Sequence, residues 1–457
     1  MKLRVFFATL VCRLLRFACR LLHRGGTAAP GRIALKICPQ LLSVLAKDVE
    51  TVAITGTNGK TTGARLLEQG FACAKLDCFS NRSGANLIDG ITTEFVMNST
   101  LGGKCKKKYA VIECDEGAAK KVFAMLRPKV IVVTNLFRDQ LDRFGEVTTT
   151  LAGLHEAISH VPDAVLCLNA DCPLTASLSL DLPNRVVWYG VEQGALPVQS
   201  GRDISDATHC IRCKTRYEYD YVNYGHLGGF RCPKCGYRRQ SADYAVTDVC
   251  SLRLDGSDFV LSERGEKRLL ELNIPAAFNI YNAAGAYAAL REMAIDADAC
   301  AEALKTADCG FGRMERFELG RRGARMMLIK NPIGCNQVLS FISEVREKYN
   351  LVLALNDRVA DGTDISWIWD ADFERLAALS GWIEQIVVSG DRAAELANRI
   401  KYAGVPKEKI RIEPSYDKIV DWAAEQELPV LMMPTYTAML ELRETVVKKI
   451  GGSSFWE

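Results

Sequence analysis

Short β-branched runs alternate with amphipathic stretches along much of this chain. Val52–Thr55, Val111–Cys114, Val130–Thr134, Val165–Leu168 and Val186–Tyr189 are nearly continuously apolar, which predicts parallel strands buried on both faces. Between them, stretches such as Thr62–Ala74 and Val147–His160 space their apolar residues as helices do. This strand-helix alternation predicts an α/β, doubly wound sheet over residues 46–310. After about residue 311 it starts afresh, with strands at Leu351–Leu355, Ile386–Ser389 and Val430–Met433 and helices at Asp372–Leu379 and Ala393–Lys401. A second, Rossmann-like α/β domain is therefore expected over 311–457. From about 205 to 240 the pattern breaks into a segment rich in Cys, Tyr, Gly and Arg, which reads as an insertion into the first domain.

Residues 1–45 form a lead-in of a different kind. The apolar run Val5–Cys12 is stopped by Arg13, and Arg16 and Arg20 follow at near-helical spacing. Such a run is too short to span a bilayer and too interrupted for a secretory signal. It predicts a basic amphipathic helix over roughly residues 2–24, open to two readings: a helix packed on the body with its arginines solvated, or one drawn to an anionic membrane surface.

Composition narrows the classes. With 457 residues, 48% hydrophobic and 25% charged, the chain is an ordinary globular protein of two or three domains. The formal net charge is only +3, and residues 1–24 alone hold six basic side chains and no acid, so the body is slightly acidic and does not suggest nucleic acid. Seventeen cysteines, mostly single residues in apolar surroundings, point to a reducing cytoplasm and to small core hydrophobes rather than a disulfide framework.

Candidate chemistry gathers at strand ends. Thr55-Gly56-Thr57-Asn58-Gly59-Lys60-Thr61-Thr62 follows a strand and opens a helix. There the glycines permit a tight turn whose N–H groups surround phosphate oxygens, Lys60 neutralises them, and a Thr hydroxyl reaches Mg²⁺. Ile54 occupies the place where the strict P-loop spacing needs a glycine. Val111-Ile112-Glu113-Cys114-Asp115-Glu116-Gly117 ends another strand, with Glu113 the leading magnesium candidate and Asp115 and Glu116 expected to cap the next helix. A third polar patch, Thr134-Asn135-Leu136-Phe137-Arg138-Asp139-Gln140-Leu141-Asp142-Arg143-Phe144-Gly145, follows the next strand.

Together with Asn169-Ala170-Asp171, Phe278-Asn279-Ile280-Tyr281-Asn282 and Gly312-Arg313-Met314-Glu315, these motifs stand in the order found in Mur ligases, and residues 45–335 resemble that family. The resemblance implies ATP-dependent activation of a carboxylate as an acyl phosphate, which an amine then attacks. It places the ATP phosphates on Gly56, Thr57, Asn58, Gly59, Lys60, Thr61 and Thr62, and magnesium on Thr61 and Glu113. Asn279 and Asn282 would lie near the adenine, and Arg313 near the nucleotide from the following domain. Three departures count against a second magnesium and the usual amino-acid co-substrate. Gln140 stands where the family has His, Val147–His160 lacks a Lys, and the family's Asp-x-x-His-Asn-Pro pattern survives only as Ile329-Lys330-Asn331-Pro332.

The insertion carries Cys210-x2-Cys213-x18-Cys232-x2-Cys235. Two such hooks supply four thiolates for tetrahedral Zn²⁺, and a closed Cys₄ site has no open position for substrate, so a structural zinc ribbon is expected. In the C-terminal domain, Asn356–Asp370 places four further carboxylates and two tryptophans after a strand, as either a partner or catalytic surface or an acid-rich loop with core tryptophans.

A Mur ligase-like core with a Cys₄ insertion, an Asn-Leu-Phe-Arg-Asp-Gln-Leu-Asp stretch and a C-terminal Ala-Asp-Gly-Thr-Asp-Ile-Ser-Trp loop is similar to the MurT family over nearly the whole chain. That resemblance implies the synthetase subunit of a heterodimeric lipid II isoglutaminyl synthase of cell-wall synthesis. Its ammonia would come from a GatD-like class I glutaminase, and its lipid II substrate lies at the inner membrane face. It also implies that a carboxylate of the Asp361–Asp364 loop completes the glutaminase Cys-His pair in trans, with Asp364 the first choice and Asp361 the second. Three rivals remain: a Mur-type or folylpolyglutamate-like ligase adding an amino acid, a P-loop NTPase with a zinc ribbon acting on nucleic acid, and a nucleotide-binding scaffold.

Overall fold

The computed structural model describes residues 1–21, 27–81, 85–138, 147–196, 206–253, 255–308, 313–345 and 347–451. Asp139–Gly145 with its Gln140, Gly312 and Arg24 lie outside the described residues.

The first sheet is built from β1 (Glu50–Thr55), β2 (Cys78–Ser80), β3 (Tyr109–Glu113), β4 (Val130–Val133), β5 (Val165–Asn169) and β6 (Val186–Val191). A separate hairpin follows, β7 (Glu218–Tyr224) and β8 (Leu227–Arg231), before β9 (Tyr244–Leu252), β10 (Ser257–Glu263) and β11 (Glu266–Leu272) return to the sheet. Its order is β11-β10-β9-β6-β5-β4-β1-β3-β2, parallel from β2 to β9 and antiparallel through β10 and β11. β1 lies between β3 on one side and β4 on the other, so the chain changes direction across the sheet at its carboxyl end. Ligands of doubly wound sheets bind at such switch points.

Each expected strand of this sheet is present with its ends moved by one or two residues: β1 and β3 begin two residues earlier, β5 and β6 run one and two residues further, and β3 and β4 stop one residue short, before Cys114 and Thr134. The helix expected from Thr62 begins at Lys60, because Gly59 adopts φ +87° and turns the chain directly into it. Helix Ala277–Glu292 is buried continuously from Asn279 to Leu290 and packs against helix Lys60–Cys73 and the sheet. A helix apolar all round belongs in the middle of a domain, and this one carries Asn279 and Asn282 into the core.

The second sheet comprises β12 (Arg313–Phe317), β13 (Ala324–Met327), β14 (Tyr349–Ala354), β15 (Ile383–Ser389), β16 (Ile410–Ile412) and β17 (Val430–Pro434), in the order β12-β13-β17-β14-β15-β16. Only β12 runs antiparallel to its neighbour. Apolar clusters cover both faces, with Leu339, Ile342, Phe373 and Leu396 in one and Val420, Met439 and Leu442 in the other.

Helix Lys2–Leu21 docks on the first core through Val5, Ala8 and Cys12. The expectation that its arginines are solvated holds for Arg4 and Arg20 and fails for Arg13 and Arg16. The Arg13 guanidinium donates to the carbonyls of Val96 and Ser99, and Arg16 is buried beside Glu94, whose charge favours its ionised form against the cost of burial. Among the described residues no helix is long and apolar enough to cross a membrane.

Candidate active site in the interdomain cleft

The phosphate loop is held by two glycines and by the loop after β4. A Cβ on Gly56, at φ +123°, would stand 2.3 Å from Thr134 Oγ1, and one on Gly59 would stand 2.0 Å from Asn282 Oδ1. No other residue fits either position. The Thr57 amide donates to Asn135 O at 2.8 Å and the Asn58 amide to Asn135 Oδ1 at 3.0 Å. Thr57 Oγ1 accepts from the Phe137 amide at 3.0 Å and donates back to its carbonyl at 3.2 Å. The described part of the third polar patch is thus the scaffold of the first.

Lys60 is buried, and its ammonium donates to Gly56 O at 2.5 Å, Thr57 O at 3.4 Å and Glu116 Oε2 at 3.1 Å. Burial pushes the Glu116 carboxyl up from its ordinary range, and the Lys60 charge opposes that. Glu116 was expected to cap the following helix together with Asp115, and neither does. Asp115 closes a local turn on the Gly117 amide at 2.9 Å, and helix Ala119–Leu126 has no side-chain cap. Glu116 turns inward because Lys60 supplies a charge partner that an exposed helix end lacks.

Glu113, at the end of β3, is held through its backbone: its N–H donates to Asn81 Oδ1 at 2.9 Å and its carbonyl accepts from Asn81 Nδ2 at 2.8 Å. Its carboxylate accepts one long bond, from Asn86 at 3.4 Å. Thr61 and Glu113 line the same small pocket of about 250 Å³, with Arg65, Ser80 and Asn81. This oxygen-rich donor set suits a hard divalent cation.

Beyond the loop opens a cleft of about 680 Å³ between the two sheets' domains. Asn58, Gly59 and Thr62 form one side with Asn279 and Asn282, and Met314, Met327 and Ile333 close it from the second domain. Asn282 Nδ2 donates to Asn279 Oδ1 at 2.9 Å, and Asn279 Nδ2 to Pro275 O at 2.7 Å. Asn58 Nδ2 is a buried donor without a partner at the edge of the cleft. An apolar slot beside a phosphate cradle, with an orphan amide between them, fits a nucleoside triphosphate. The backbone of Arg313 opens β12, and Met314 beside it takes φ +61° at a bulge that turns its side chain into the cleft. Polar contacts join the domains: Asn331 Nδ2 donates to Asn58 Oδ1 at 3.3 Å, and Arg138 pairs with Asp370 at 2.9 Å.

Tyr224, at the end of β7, also lines the cleft, and nothing in its sequence surroundings singled it out. Its ring lies 6.1 Å from Phe137 and 5.6 Å from Tyr281. Next to it, Asn223 Nδ2 donates to Tyr281 OH at 2.6 Å, and that hydroxyl donates at 2.6 Å to the buried Asp171, which also accepts from Arg239 at 2.7 Å. The insertion is thereby wired to the helix carrying Asn279 and Asn282. In the insertion itself, the sulfurs of Cys210, Cys213, Cys232 and Cys235 all lie within 4.8 Å of one another, with Cys210–Cys235 at 3.6 Å and Cys213–Cys232 at 3.4 Å. Thiolates about 2.3 Å from a tetrahedral zinc stand about 3.8 Å apart, so the cluster fits that ion.

In the C-terminal loop the two aspartates diverge. Asp361 is buried, its carboxylate accepting from the Thr437 amide at 2.7 Å and the Thr437 hydroxyl at 2.5 Å at the start of helix Tyr436–Ile450. Asp364 is exposed, and the Ser366 amide at 2.8 Å holds its carboxyl below the ordinary range. Near them Val359 and Trp369 present apolar surface to solvent.

Residues 54–290 match the Mur ligase middle domain, and residues 328–439 match the MurT ligase C-terminal family. The subunit MurT of lipid II isoglutaminyl synthase (glutamine-hydrolyzing) from Streptococcus pneumoniae is 34% identical over 450 residues, 98% of each chain. The chain belongs to the MurT family. The Staphylococcus aureus protein of the same name is also 34% identical, over 98% of this chain and 99% of its own. Among solved structures, a pseudomurein peptide ligase type C from Methanothermus fervidus superposes with TM-score 0.63 at 23% identity, covering 88% of this chain and 79% of that one. A Mycobacterium tuberculosis folylpolyglutamate synthase superposes with TM-score 0.62 at 13% identity, covering 91% and 96%. These likenesses show that the MurT-family chain has the Mur ligase α/β fold.

Proposed function

We propose that this MurT-family chain is the synthetase subunit of a lipid II isoglutaminyl synthase. It would convert the α-carboxylate of D-isoglutamate in the lipid II stem peptide to an amide, at the expense of ATP. The observation that carries this reading is the phosphate loop opening onto an interdomain cleft, in a chain that aligns end to end with subunits so named.

The chemistry runs in two displacements. A substrate carboxylate oxygen attacks the γ-phosphorus of ATP and ADP leaves. Ammonia nitrogen then attacks the acyl carbon of the resulting acyl phosphate. The C–O electron pair departs with phosphate, and the nitrogen sheds a proton. Lys60 and the loop amides from Gly56 to Thr62 stabilise charge on the phosphates, an electrostatic task that needs fixed donors in a dry site. Thr61 and Glu113 would hold Mg²⁺, whose charge would offset that of the phosphates. Asn279, Asn282 and Arg313 are assigned to the nucleotide. Cys210, Cys213, Cys232 and Cys235 would hold Zn²⁺, which would keep the hairpin insertion folded.

Ammonia must reach the acyl phosphate before water does, which favours delivery from a bound glutaminase of the GatD kind. The Rossmann-like C-terminal domain is assigned to that partner. Asp364, exposed and ionised, suits the carboxylate that orients the partner's catalytic His, whereas Asp361 is occupied within its own domain. A lipid-linked substrate places the complex at the inner face of the plasma membrane. Mass spectrometry of lipid II after reaction with ATP, Mg²⁺ and glutamine tests the proposal. Replacement of a hydroxyl by an amino group at the isoglutamate, dependent on both chains and lost in Lys60→Met, is the expected result; an unchanged stem peptide overturns it.

A further inference from the structure

Helix Lys2–Leu21 has two apolar faces, and only one is covered. Val5, Ala8 and Cys12, small side chains, are pressed against the body. Leu3, Phe7, Leu10, Leu14, Phe17 and Leu21 recur at alternating spacings of four and three, which places them on one stripe about 100° wide on the opposite side of the helix. Leu3, Leu14, Phe17 and Leu21 are 69%, 59%, 69% and 71% exposed, and Phe7 is 49% exposed. Large apolar side chains aligned in solvent over the length of a helix are unusual in a folded chain and mark a surface that something covers.

The charges around the stripe choose the occupant. Lys2, Arg4 and Arg20 are exposed beside it, and the helix contains no acidic residue. A Cβ on Gly103 would stand 2.6 Å from Val5 Cγ1, so the segment carrying the exposed Lys104 and Lys106 lies against the covered face of the same helix. A second copy of the chain seated on the stripe would bring like charges together. An anionic lipid surface instead receives the apolar side chains below its headgroups and the basic ones among them.

We infer that the Lys2–Leu21 helix is an interfacial anchor: its Leu3–Leu21 stripe inserts into the surface of a membrane rich in anionic lipid, lying in the plane without crossing it. The inference rests on the lipid-linked substrate proposed above for its purpose, and on the exposed stripe alone for its geometry. Held this way, the enzyme searches for substrate in two dimensions.

Co-sedimentation of the full chain with phosphatidylglycerol–phosphatidylcholine vesicles tests it, with neither ATP nor lipid II present. Leu14→Ser/Phe17→Ser removes two side chains that touch solvent, so its thermal transition should match the parent's. Its vesicle affinity should fall by about tenfold or more, the loss of two buried apolar groups. Lys2→Glu/Arg4→Glu should weaken binding to anionic vesicles and leave its residue insensitive to salt. Equal sedimentation of parent and Leu14→Ser/Phe17→Ser, or absence of sedimentation by the parent, overturns the inference. So does a parent dimer in light scattering that the same double variant dissociates, which would assign the stripe to a second copy. Failure of the catalytic reading is separable: vesicle binding without amidation sinks that reading alone, and amidation of detergent-dispersed lipid II without vesicle binding sinks only the anchor.

Discussion

The side-chain amide of Asn331 donates to Oδ1 of Asn58 at 3.3 Å while its own Oδ1 accepts the Gly334 amide at 2.7 Å. One residue therefore caps helix Pro332–Ser343 of the second domain and touches the tip of the phosphate loop of the first. Substitutions separate the two roles. Asn331→Asp keeps the capping oxygen and loses the donor, so stability should hold while KM for ATP rises severalfold. Asn331→Ala loses both and should also cost about 1 kcal/mol of stability, the usual value of such a cap. Urea melts beside ATP kinetics check this; equal KM in parent and Asn331→Asp would mean that the bridge does not shape the cleft.

Tyr224 connects the cysteine insertion to the cleft, because it sits at the turn of the hairpin whose open end carries the four thiols, and it faces Phe137 and Tyr281. Removing the ring in Tyr224→Ala should raise KM for ATP about tenfold through lost packing, roughly 1.4 kcal/mol. Stripping the zinc proposed for the cysteine cluster with a strong chelator should reproduce the Tyr224→Ala effect on KM. An unaltered KM after verified zinc loss would uncouple the insertion from the nucleotide site.

Much of this architecture was legible in the chain because parallel strands buried on both faces must be continuously apolar, as Val52–Ile54 and Val130–Val133 are. The phosphate loop was legible because its two glycines are forced by contacts with Thr134 and Asn282. What the sequence did not reveal depends on long-range packing. Glu116 reads as a helix cap until Lys60, 56 positions away, is seen to claim it. Tyr224 sits among several tyrosines, and nothing local separates the one that reaches the cleft. The arginines of the first helix alternate with apolar residues so evenly that either face could have been the buried one, and the fold chose the face with small side chains. Asp361 and Asp364 share one short loop, yet only the approach of Thr437 distinguishes the buried carboxylate from the exposed one.

That distinction makes the two aspartates a controlled pair. Asp361→Asn gives up a charged acceptor at the start of helix Tyr436–Ile450 and should destabilise the protein by about 1–2 kcal/mol. Asp364→Asn should leave the melting transition in place and abolish glutamine-dependent amidation, with free ammonium salts restoring product. Stability by differential scanning fluorimetry and product by mass spectrometry decide it. Full glutamine-dependent turnover by Asp364→Asn would remove this residue from the partner's chemistry.

His226 supplies a pH dependence with a definite sign. It is fully buried at the turn after β7, its Nε2 3.4 Å from Cys172 Sγ and its ring 4.4 Å from that of Phe137. Burial pushes its pKa down from 6.5 to about 3, so the folded state keeps the ring neutral where the unfolded chain takes up a proton. Its contribution to stability is intact above pH 6.5 and is lost as the pH falls from there towards 3. Within that window the loss approaches about 1.4 kcal/mol per pH unit from this one group. Because Phe137 holds Thr57 of the phosphate loop, the same acidification should loosen the nucleotide site before the domain unfolds. Urea denaturation between pH 7 and pH 5 should show a steeper fall in the parent than in His226→Gln, whose side chain does not titrate. Parallel slopes in the two proteins would mean that the ring takes its proton without leaving the folded state.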